Sequence, residues 1–288
     1  MANASHPTQP VDYLIIGHFT CDVIPQGLAL GGTASYAAAT AQALGMKVGI
    51  VTSWGEEVPL GRLDPLPICN YKVGNSTTFH NKETAEGRKQ TVYHVAPPLT
   101  YAMIPDIWKN TPIIHLGPIA QDVSPEIVKS IDTTLLGISA QGWLRTWDDQ
   151  GNVKPVEWAQ FKESDNYRAL SQINSTIISI EDIGRQEERV DDLVQVCEIL
   201  VVTEAEKGSR LYWNGKMRHF PAPKVEVVDP VGAGDVYATA FFVRLYQTQD
   251  PNEAARFATQ LAAFSVTRRG LDSAPPQSEI DLCLKGIA

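Results

Sequence analysis

Short runs of apolar residues recur along the chain and alternate with stretches of helical spacing. Runs of this kind are typical of parallel β-strands buried on both faces. This alternation predicts an α/β fold with a sheet covered on both sides, and functional residues at the carboxyl ends of its strands. We expect strands at residues 13–16, 47–52, 113–116, 135–139, 177–180 and 200–203, and helices at 34–44, 124–131, 165–173 and 187–197.

One segment, residues 75–95, departs from this alternation. It contains two stretches of alternating character around a polar Glu86-Gly87 turn, a pattern that predicts a β-hairpin with one exposed face. Such a hairpin inserted into an α/β chain can form a lid over a site; an edge hairpin without that role is the alternative. We therefore expect a single domain over residues 1–288, with residues 75–95 as an inserted β-hairpin lid.

Composition narrows the classes of function. The chain has 288 residues, 43% of them hydrophobic, which is enough for one large domain with a full core. The formal net charge is −9 and the basic residues stand in pairs such as Arg268-Arg269. A nucleic-acid partner requires a clustered basic face, so we expect a small-molecule ligand and no nucleic acid.

Several further features bear on location. No apolar run approaches the roughly 20 residues of a membrane span, and the first residues lack the basic start and apolar core of a signal peptide. The four cysteines lie far apart, without metal-binding or paired spacing, as is usual in a reducing compartment. We therefore expect a cytoplasmic protein with no membrane contact, either a monomer or a homodimer.

The stretch richest in chemistry is residues 227–242, VVDPVGAGDVYATAFF. A strand-like run ends at Asp229, and Gly232 and Gly234 flank Ala233 at the start of a nearly all-apolar helix. Glycine permits backbone angles that a side chain forbids, and a helix start presents unpaired N–H groups with partial positive charge. The segment therefore predicts a cradle for an anion such as a phosphate.

Asp235 lies at the mouth of this cradle. A carboxylate there could accept the proton of a hydroxyl group that attacks a terminal phosphoryl group. Phosphoryl transfer tolerates so weak a base, because its transition state is loose and positioning dominates. The alternative is that Asp235 only caps the helix and that the glycines only form a turn.

The segment 229–235 resembles the carboxyl-terminal signature of the ribokinase (PfkB) family of sugar and nucleoside kinases, with Pro230 in place of the usual Thr or Ser. The resemblance extends from about residue 11 to the end of the chain, because further strings match family motifs in the right order. These strings are Gly17-His18-Phe19-Thr20-Cys21-Asp22, Gly31-Gly32-Thr33-Ala34-Ser35-Tyr36-Ala37 and residues 265–275, SVTRRGLDSAP.

This resemblance implies a ribokinase-like three-layer α/β/α fold, with a mostly parallel central sheet and a small β lid. It also implies roles for residues at matching positions. Asp235 is then the catalytic base, and Gly232, Ala233 and Gly234 form the anion hole. The acceptor contacts are Asp22, Gly31 and Gly32, and the nucleotide contacts are Thr203, Gly208 and Thr259, besides Gly232 and Gly234.

Three departures from the family pattern concern the substrate and the metal. Tyr36 stands where the family usually has an asparagine that reads sugar hydroxyls. The family's magnesium motif is absent as such; Glu181 or Asp182 could orient a hydrated magnesium ion, or both are surface acids. In the string Gln141-Gly142-Trp143-Leu144-Arg145, Gln141 and Arg145 are candidate substrate contacts, and Arg145 could bind a phosphate.

That string and Tyr36 are most similar to the inositol-kinase branch of the family. We expect an ATP-dependent, magnesium-dependent kinase that phosphorylates a hydroxyl of a small polyol or sugar, with a myo-inositol-like cyclitol as the first candidate. The loop at 265–275 resembles one that binds a monovalent cation in some members. The alternatives are a nucleoside kinase, with Phe79 and Tyr36 forming a slot for the base, and a non-catalytic binding protein of the same fold.

Overall fold

The computed structural model describes residues 7–84 and 87–286, except for the side chains of residues 83–88; Glu86 of the expected turn thus lies outside the described residues. The strands are β1 (Tyr13–Ile16), β2 (Thr20–Ile24), β3 (Gly27–Gly31), β4 (Val48–Thr52), β5 (Ile68–Asn70), β6 (Thr77–Thr84), β7 (Gly87–His94), β8 (Ile113–Leu116), β9 (Leu135–Ser139), β10 (Arg145–Trp147), β11 (Val153–Pro155), β12 (Ser175–Ser179), β13 (Ile199–Thr203), β14 (Ser209–Trp213) and β15 (Lys216–Phe220).

The helices are α1 (Thr33–Ala43), α2 (Trp158–Lys162), α3 (Asp165–Leu170), α4 (Glu187–Val194), α5 (Ala233–Thr248), α6 (Pro251–Ser265) and α7 (Gln277–Lys285). The expected helix at 124–131 is instead a 3-10 helix, Pro125–Ser130. The helices expected at 165–173 and 187–197 end earlier, at Leu170 and Val194. None of the helices in the described ranges is long and apolar enough to cross a membrane.

The central sheet has nine strands in the order β15-β14-β13-β12-β9-β8-β1-β4-β5. The seven strands from β13 to β5 run parallel, and β14 and β15 continue the sheet antiparallel. Their carboxyl ends therefore meet at one edge, where the loops after β1, β8, β9, β12 and β13 begin. The expectation of a mostly parallel sheet is confirmed.

Two hydrophobic cores lie on the two faces of this sheet. Tyr13 and Ile15 of β1 face a core that includes α1, α5 and α6, whereas Leu14 and Ile16 of the same strand face a second core that includes residues of α2, α3 and α4. All four side chains are fully buried. This alternation within one apolar run creates the three α/β/α layers, and the predicted fold class is confirmed.

A separate four-stranded sheet, ordered β3-β2-β6-β7, lies beside the main domain; we call it the lid sheet. The strands β6 and β7 fall within the segment 75–95, and they pair antiparallel. The strands β2 and β3 were not expected, because a short glycine-flanked run such as Gly27–Gly31 carries little strand signal. The lid sheet therefore includes Asp22 itself, on β2.

The strand-like run before Asp229 is not a strand. Val227 and Val228 lie in irregular backbone and are 62% and 46% exposed. The Val228 and Asp229 amides donate to the Val266 carbonyl, at 2.8 and 3.0 Å. The segment is therefore attached to the end of α6 rather than to the sheet.

The helix α5 packs closely on the sheet at Gly137 of β9, and this contact gives a test of the core. A Cβ added at Gly137 would stand 2.6 Å from the Phe242 ring. We expect Gly137→Ala to lower the free energy of unfolding by about 1–3 kcal/mol through overpacking. Urea denaturation measures this change. Gly74→Ala is the matched control, because a Cβ there meets no atom within 4 Å; equal stability of the two variants would contradict this packing.

Candidate active site

Two helices that begin after glycines meet at the carboxyl edge of the sheet. The helix α1 follows Gly31 and Gly32, α5 follows Gly232, and the two helices pack against each other. Their closest link is Tyr36 of α1, which is 5% exposed. A Cβ at Gly232 would stand 2.2 Å from Tyr36 Cδ1, so the tyrosine ring lies directly against the start of α5.

The bend before α5 has the geometry of an anion cradle. Gly232 has a φ of +81°, in the left-handed region that glycine tolerates, and its carbonyl accepts the Val236 amide at 2.9 Å. Of the first-turn amides that follow, that of Ala233 donates to the Pro230 carbonyl at 3.3 Å, and a helix provides no acceptor to the next ones. Gly234 is exposed, and a Cβ there would meet no atom within 4 Å. The space in front of the bend is therefore open.

The Asp229 carboxylate fastens this bend to the neighbouring loop. Its Oδ1 accepts the Val231 amide at 3.0 Å and its Oδ2 accepts the Gly270 amide at 3.3 Å. The cradle and the loop at 265–275 are thus held together, as the sequence match implies for two parts of one nucleotide site. Asp229 therefore has a structural role, which distinguishes it from Asp235.

The two aspartates of the expected acceptor site belong to different parts of the fold. Asp235 is in the first turn of α5. Burial is the main cause that raises the pKa of the Tyr13 hydroxyl, and the Asp235 charge raises it further. Asp22, on the lid sheet, lies over the acceptor turn, because a Cβ at Gly31 would stand 2.7 Å from Asp22 Oδ2. The structure thus brings Asp22 together with Gly31, and Tyr36 with Gly232.

Gln141, Arg145 and Asp182 form a cluster at the ends of β9 and β12. The Asp182 carboxylate accepts the Ser179 amide at 2.9 Å and the Gln141 amide at 3.4 Å, and it lies 3.6 Å from the Arg145 guanidinium. Burial raises the pKa of Asp182, and the Arg145 charge opposes that shift. The Arg145 side chain is 17% exposed. Its positive charge therefore reaches the surface at the carboxyl edge of the sheet, while the Asp182 carboxylate that holds it is buried.

The two acidic residues predicted to orient a magnesium ion, Asp182 and Glu181, have different surroundings. Asp182 is fully engaged with Ser179, Gln141 and Arg145, so its oxygens do not fit direct ligation of magnesium. Glu181 is exposed and pairs with Arg185 at 2.9 Å. Surface ion pairs of this kind are weak, so its carboxylate fits a hydrated ion. Within the described ranges, no three His, Cys, Asp or Glu residues form a ready metal cluster.

The expected nucleotide contacts are less open than the cradle. Thr259 is 4% exposed, and its hydroxyl donates to the Ala255 carbonyl and bonds Ser209. A Cβ at Gly208 would stand 2.0 Å from the Phe220 carbonyl oxygen. Thr203 ends β13 and is partly exposed. The geometry of Thr259 supports a role in packing α6 on the sheet rather than contact with a nucleotide.

A buried polar chain beneath Asp235 was not anticipated from the sequence. The Tyr13 hydroxyl lies 2.7 Å from His115 Nδ1 and 3.4 Å from the Thr239 hydroxyl, and His115 Nε2 lies 2.8 Å from the Ser139 hydroxyl. Burial lowers the pKa of His115 to about 3, so this histidine is neutral. In the sequence, this series of hydrogen-bonded side chains is indicated by His115, a polar residue within an otherwise apolar strand.

Comparison with known proteins agrees with this geometry. Residues 158–278 match the family described as pfkB family carbohydrate kinase. The chain is 22% identical over 290 residues to a cytidine kinase of Thermococcus kodakarensis, covering 88% of this chain and 95% of that protein. It is 26% identical over 268 residues to an inositol 3-kinase of Zea mays, covering 88% of this chain and 64% of that protein.

Among solved structures, the fold is similar to a pyrophosphate-dependent kinase of the ribokinase family complexed with a pyrophosphate analogue and myo-inositol. That similarity has a TM-score of 0.77 at 18% identity and covers 94% of this chain and 98% of the other. The family match over residues 158–278 and the shared fold of the whole chain confirm the resemblance to the ribokinase (pfkB) carbohydrate kinases that the sequence motifs predict. The predicted class, a phosphotransferase with an alcohol group as acceptor, is confirmed at this level.

The two glycines of the cradle give a paired test. We expect Gly232→Ala to lower the free energy of unfolding by about 1–3 kcal/mol, since the methyl group meets Tyr36 at a strained φ. Gly234→Ala should keep or slightly raise stability, because alanine favours a helix, yet its methyl group narrows the open cradle and lowers turnover. Thermal unfolding and a phosphoryl-transfer assay measure the two effects. Equal stability of both variants, or full activity of Gly234→Ala, would contradict this geometry.

The neutral His115 predicts a pH dependence of stability. Because its folded pKa is about 3 and the unfolded value is about 6.5, only the unfolded chain gains this proton as the pH falls below 6.5. This group therefore removes about 1.4 kcal/mol of stability per pH unit between these two values. Urea denaturation of the parent and of His115→Gln should show their difference shrinking by that amount from pH 6.5 downward. Parallel curves would mean that His115 is protonated in the folded state.

Proposed function

We propose that the chain transfers the terminal phosphoryl group of ATP to a hydroxyl of a small polyol or sugar, and that a myo-inositol-like cyclitol is its acceptor. The observation that carries the proposal is the open bend at Gly232 to Gly234, which begins α5 with Asp235 in its first turn. Asp22 and the Gly31-Gly32 turn lie on the acceptor side, and Tyr36 links that side to the bend.

In the proposed mechanism, Asp22 and the glycine turn orient the acceptor, and Asp235 accepts the proton of the attacking hydroxyl. A bond forms between the acceptor oxygen and the terminal phosphorus while the bond from that phosphorus to the donor oxygen breaks. The amides of residues 232–234 stabilise charge on the transferred group. A magnesium ion, when bound, neutralises donor charge, and Glu181 is the residue suited to orient its water shell.

The lid sheet is proposed to exclude water from the reacting groups. Its packing supports this role, because Phe79 and Val92 form a small buried cluster with Ile119 and Ala120 of the main domain. We extend the proposal to a single kinase domain in which residues 75–95 form part of this lid. A decorative edge hairpin would have no such cluster beneath it.

The relatives and structural neighbours differ in their phosphate donor and in their acceptor. Arg145, anchored by Asp182, is proposed to bind a phosphate group. The likeness to a pyrophosphate-dependent kinase and the buried hydroxyl of Thr259 favour testing pyrophosphate beside ATP. The inositol proposal is supported by the string from Gln141 to Arg145, by Tyr36 and by the inositol 3-kinase relative.

A nucleoside kinase is the second candidate, favoured by the cytidine kinase relative. Against it, the two rings suggested for a base slot are buried in other contacts: Phe79 is 2% exposed and Tyr36 is 5% exposed. A panel of cyclitols, sugars and nucleosides, each with ATP and with pyrophosphate, separates these candidates by product release. Phosphorylation of nucleosides with none of inositol would overturn the acceptor proposal, and donor binding without any turnover would favour a non-catalytic protein.

Two further proposals follow from the cysteines and from the loop at 265–275. Cys21, Cys69, Cys197 and Cys283 are all free thiols, which supports a reducing, cytoplasmic location.

The loop at 265–275 adjoins the cradle through Asp229, which supports a monovalent-cation requirement of the kind some family members have. Turnover with potassium, sodium and neither ion tests that requirement.

Asp235 is the residue whose replacement tests the chemistry. We expect Asp235→Asn to lower kcat by about 10²- to 10⁴-fold, the usual contribution of a general base, while donor affinity changes little. Steady-state kinetics and calorimetric titration of the donor measure the two quantities. Asp191→Asn, which removes an exposed carboxylate on α4, is the matched control. Parent-like turnover by Asp235→Asn would show that another group accepts the proton.

A further inference from the structure

The buried polar chain beneath Asp235 is one continuous series of hydrogen bonds. It runs from Ser139, the last residue of β9, through His115 of β8 and Tyr13 of β1 to Thr239 of α5. Its three contacts, in that order, measure 2.8, 2.7 and 3.4 Å. Because a buried polar group is costly unless it is hydrogen-bonded, the positions of the protons in this series follow from the contacts.

The contacts select one tautomer of His115. A neutral imidazole donates from one ring nitrogen and accepts at the other, and burial keeps His115 neutral by lowering its pKa to about 3. The Tyr13 hydroxyl has a single proton, which it donates to the Thr239 hydroxyl oxygen. The proton between Tyr13 and His115 must therefore come from Nδ1, and the unprotonated Nε2 accepts the proton of the Ser139 hydroxyl. With the other tautomer, Tyr13 would donate to Nδ1 and would have no proton for Thr239.

Asp235 lies one helical turn before Thr239 on α5. Side chains four residues apart share a face of a helix, and each leans toward the start of the helix. The two residues are therefore neighbours, with Thr239 below Asp235. Burial raises the pKa of the Tyr13 hydroxyl, and the Asp235 charge raises it further, so the carboxylate acts on this hydroxyl. Its negative charge favours a Tyr13 proton that points to α5, in agreement with the Nδ1–H tautomer.

We propose that Tyr13 is a positioning residue that acts through Thr239 to hold Asp235 in place, with His115 fixed as its Nδ1–H tautomer. This inference rests on the proposed function, in which Asp235 accepts the proton of the attacking hydroxyl. Every proton between Ser139 and Thr239 then points toward α5, and the bonds of such a series polarise one another. The aligned dipoles favour the ionised, proton-accepting form of the carboxylate, and the series adds no charge of its own.

Aromatic packing holds the imidazole in this orientation. The Phe242 ring of α5 meets the His115 ring edge to face, with centroids 4.9 Å apart and planes at 74°. The Tyr13 ring meets it in the same manner, at 6.0 Å and 82°. All three rings are fully buried. Since a small displacement of a catalytic group can lower a rate a hundredfold, rigid support of this kind affects turnover as well as stability.

The tautomer is measured by ¹⁵N NMR of the protein labelled at histidine, and the His115→Gln variant identifies the signal. We expect a protonated Nδ1 and an unprotonated Nε2 in the parent. In Tyr13→Phe the Nδ1 proton loses its acceptor, so His115 should change to the Nε2–H tautomer and donate to Ser139. An Nε2–H tautomer in the parent, or the same tautomer in both proteins, would overturn the inference.

Steady-state kinetics with myo-inositol and ATP compare Tyr13→Phe with a matched control, Tyr237→Phe. Tyr237 is 3% exposed, and its hydroxyl lies 2.9 Å from the Ser209 hydroxyl of β14. Each variant thus removes one buried, hydrogen-bonded hydroxyl, and thermal unfolding should show similar losses of stability. We expect Tyr13→Phe to lower kcat about 10- to 100-fold, with KM changed less than about threefold. Tyr237→Phe should keep the kcat of the parent.

Two changes at Thr239 give a second measurement at the α5 end of the series. Thr239→Val keeps the shape of the side chain but removes the oxygen that accepts from Tyr13, whereas Thr239→Ser keeps that oxygen. We expect Thr239→Val to lower kcat as Tyr13→Phe does, and Thr239→Ser to retain most of the turnover. Equal kcat of the two variants, measured where both are folded, would contradict an action through this hydroxyl.

The outcomes separate this inference from the proposed function. If the parent turns over and folded Tyr13→Phe retains the kcat of the parent, the positioning role is overturned and the kinase proposal stands. If the parent turns over none of the acceptors with either donor, the proposed function fails and the tautomer alone decides the inference. An Nδ1–H tautomer in the parent that changes to Nε2–H in Tyr13→Phe would then support the directed series below Asp235, and any other result would overturn it.

Discussion

The contact between Tyr36 and Gly232 is the point on which the site depends. It joins the helix that follows the proposed acceptor turn to the helix that follows the proposed phosphate cradle, and so holds the starts of α1 and α5 at one separation. Phosphoryl transfer gains most of its rate from positioning and charge stabilisation. A glycine is required at position 232, because a Cβ there would occupy the space of the ring. In the proposed mechanism, this ring therefore sets the distance between the acceptor and the phosphate donor.

Around this contact, the polar groups divide between the two parts of the fold. Asp22 belongs to the lid sheet, whereas Asp235, Arg145 and the loops after the central strands belong to the main domain. The buried chain from Tyr13 through His115 to Ser139 ties α5 to three adjacent strands without carrying charge, because burial keeps the histidine neutral. This chain therefore supports the start of α5 without placing a charge below Asp235.

The sequence predicts the layered fold because both faces of each parallel strand are buried, which leaves an apolar run with few alternatives. It also predicts the cradle, since two glycines before an apolar helix restrict the backbone strongly. It does not predict β2 and β3, because Gly27–Gly31 has few side chains with strand character. The run at Val227-Val228 was interpreted wrongly for the converse reason: it is apolar, yet it bonds to Val266 and remains exposed.

Long-range contacts account for the site features that no local pattern contains. The engagement of Asp182 with Arg145 and Gln141, and the seclusion of Thr259, depend on which elements the sheet order brings together. The assigned roles of the site residues stay predictions, whereas their proximity is a property of the fold.

The lid sheet also contains a free cysteine whose reactivity can report on movement of the sheet. Cys21, next to Asp22, is 1% exposed and hydrogen-bonded to Glu57 at 3.8 Å, and burial together with the Glu57 charge raises its pKa to about 11. Since the thiolate is the reactive form, an alkylating reagent can modify Cys21 only when β2 separates from the loop that holds Glu57. The rate of that modification, compared with the rate at the equally buried Cys283 of α7, would distinguish opening of the cleft from unfolding of the whole chain.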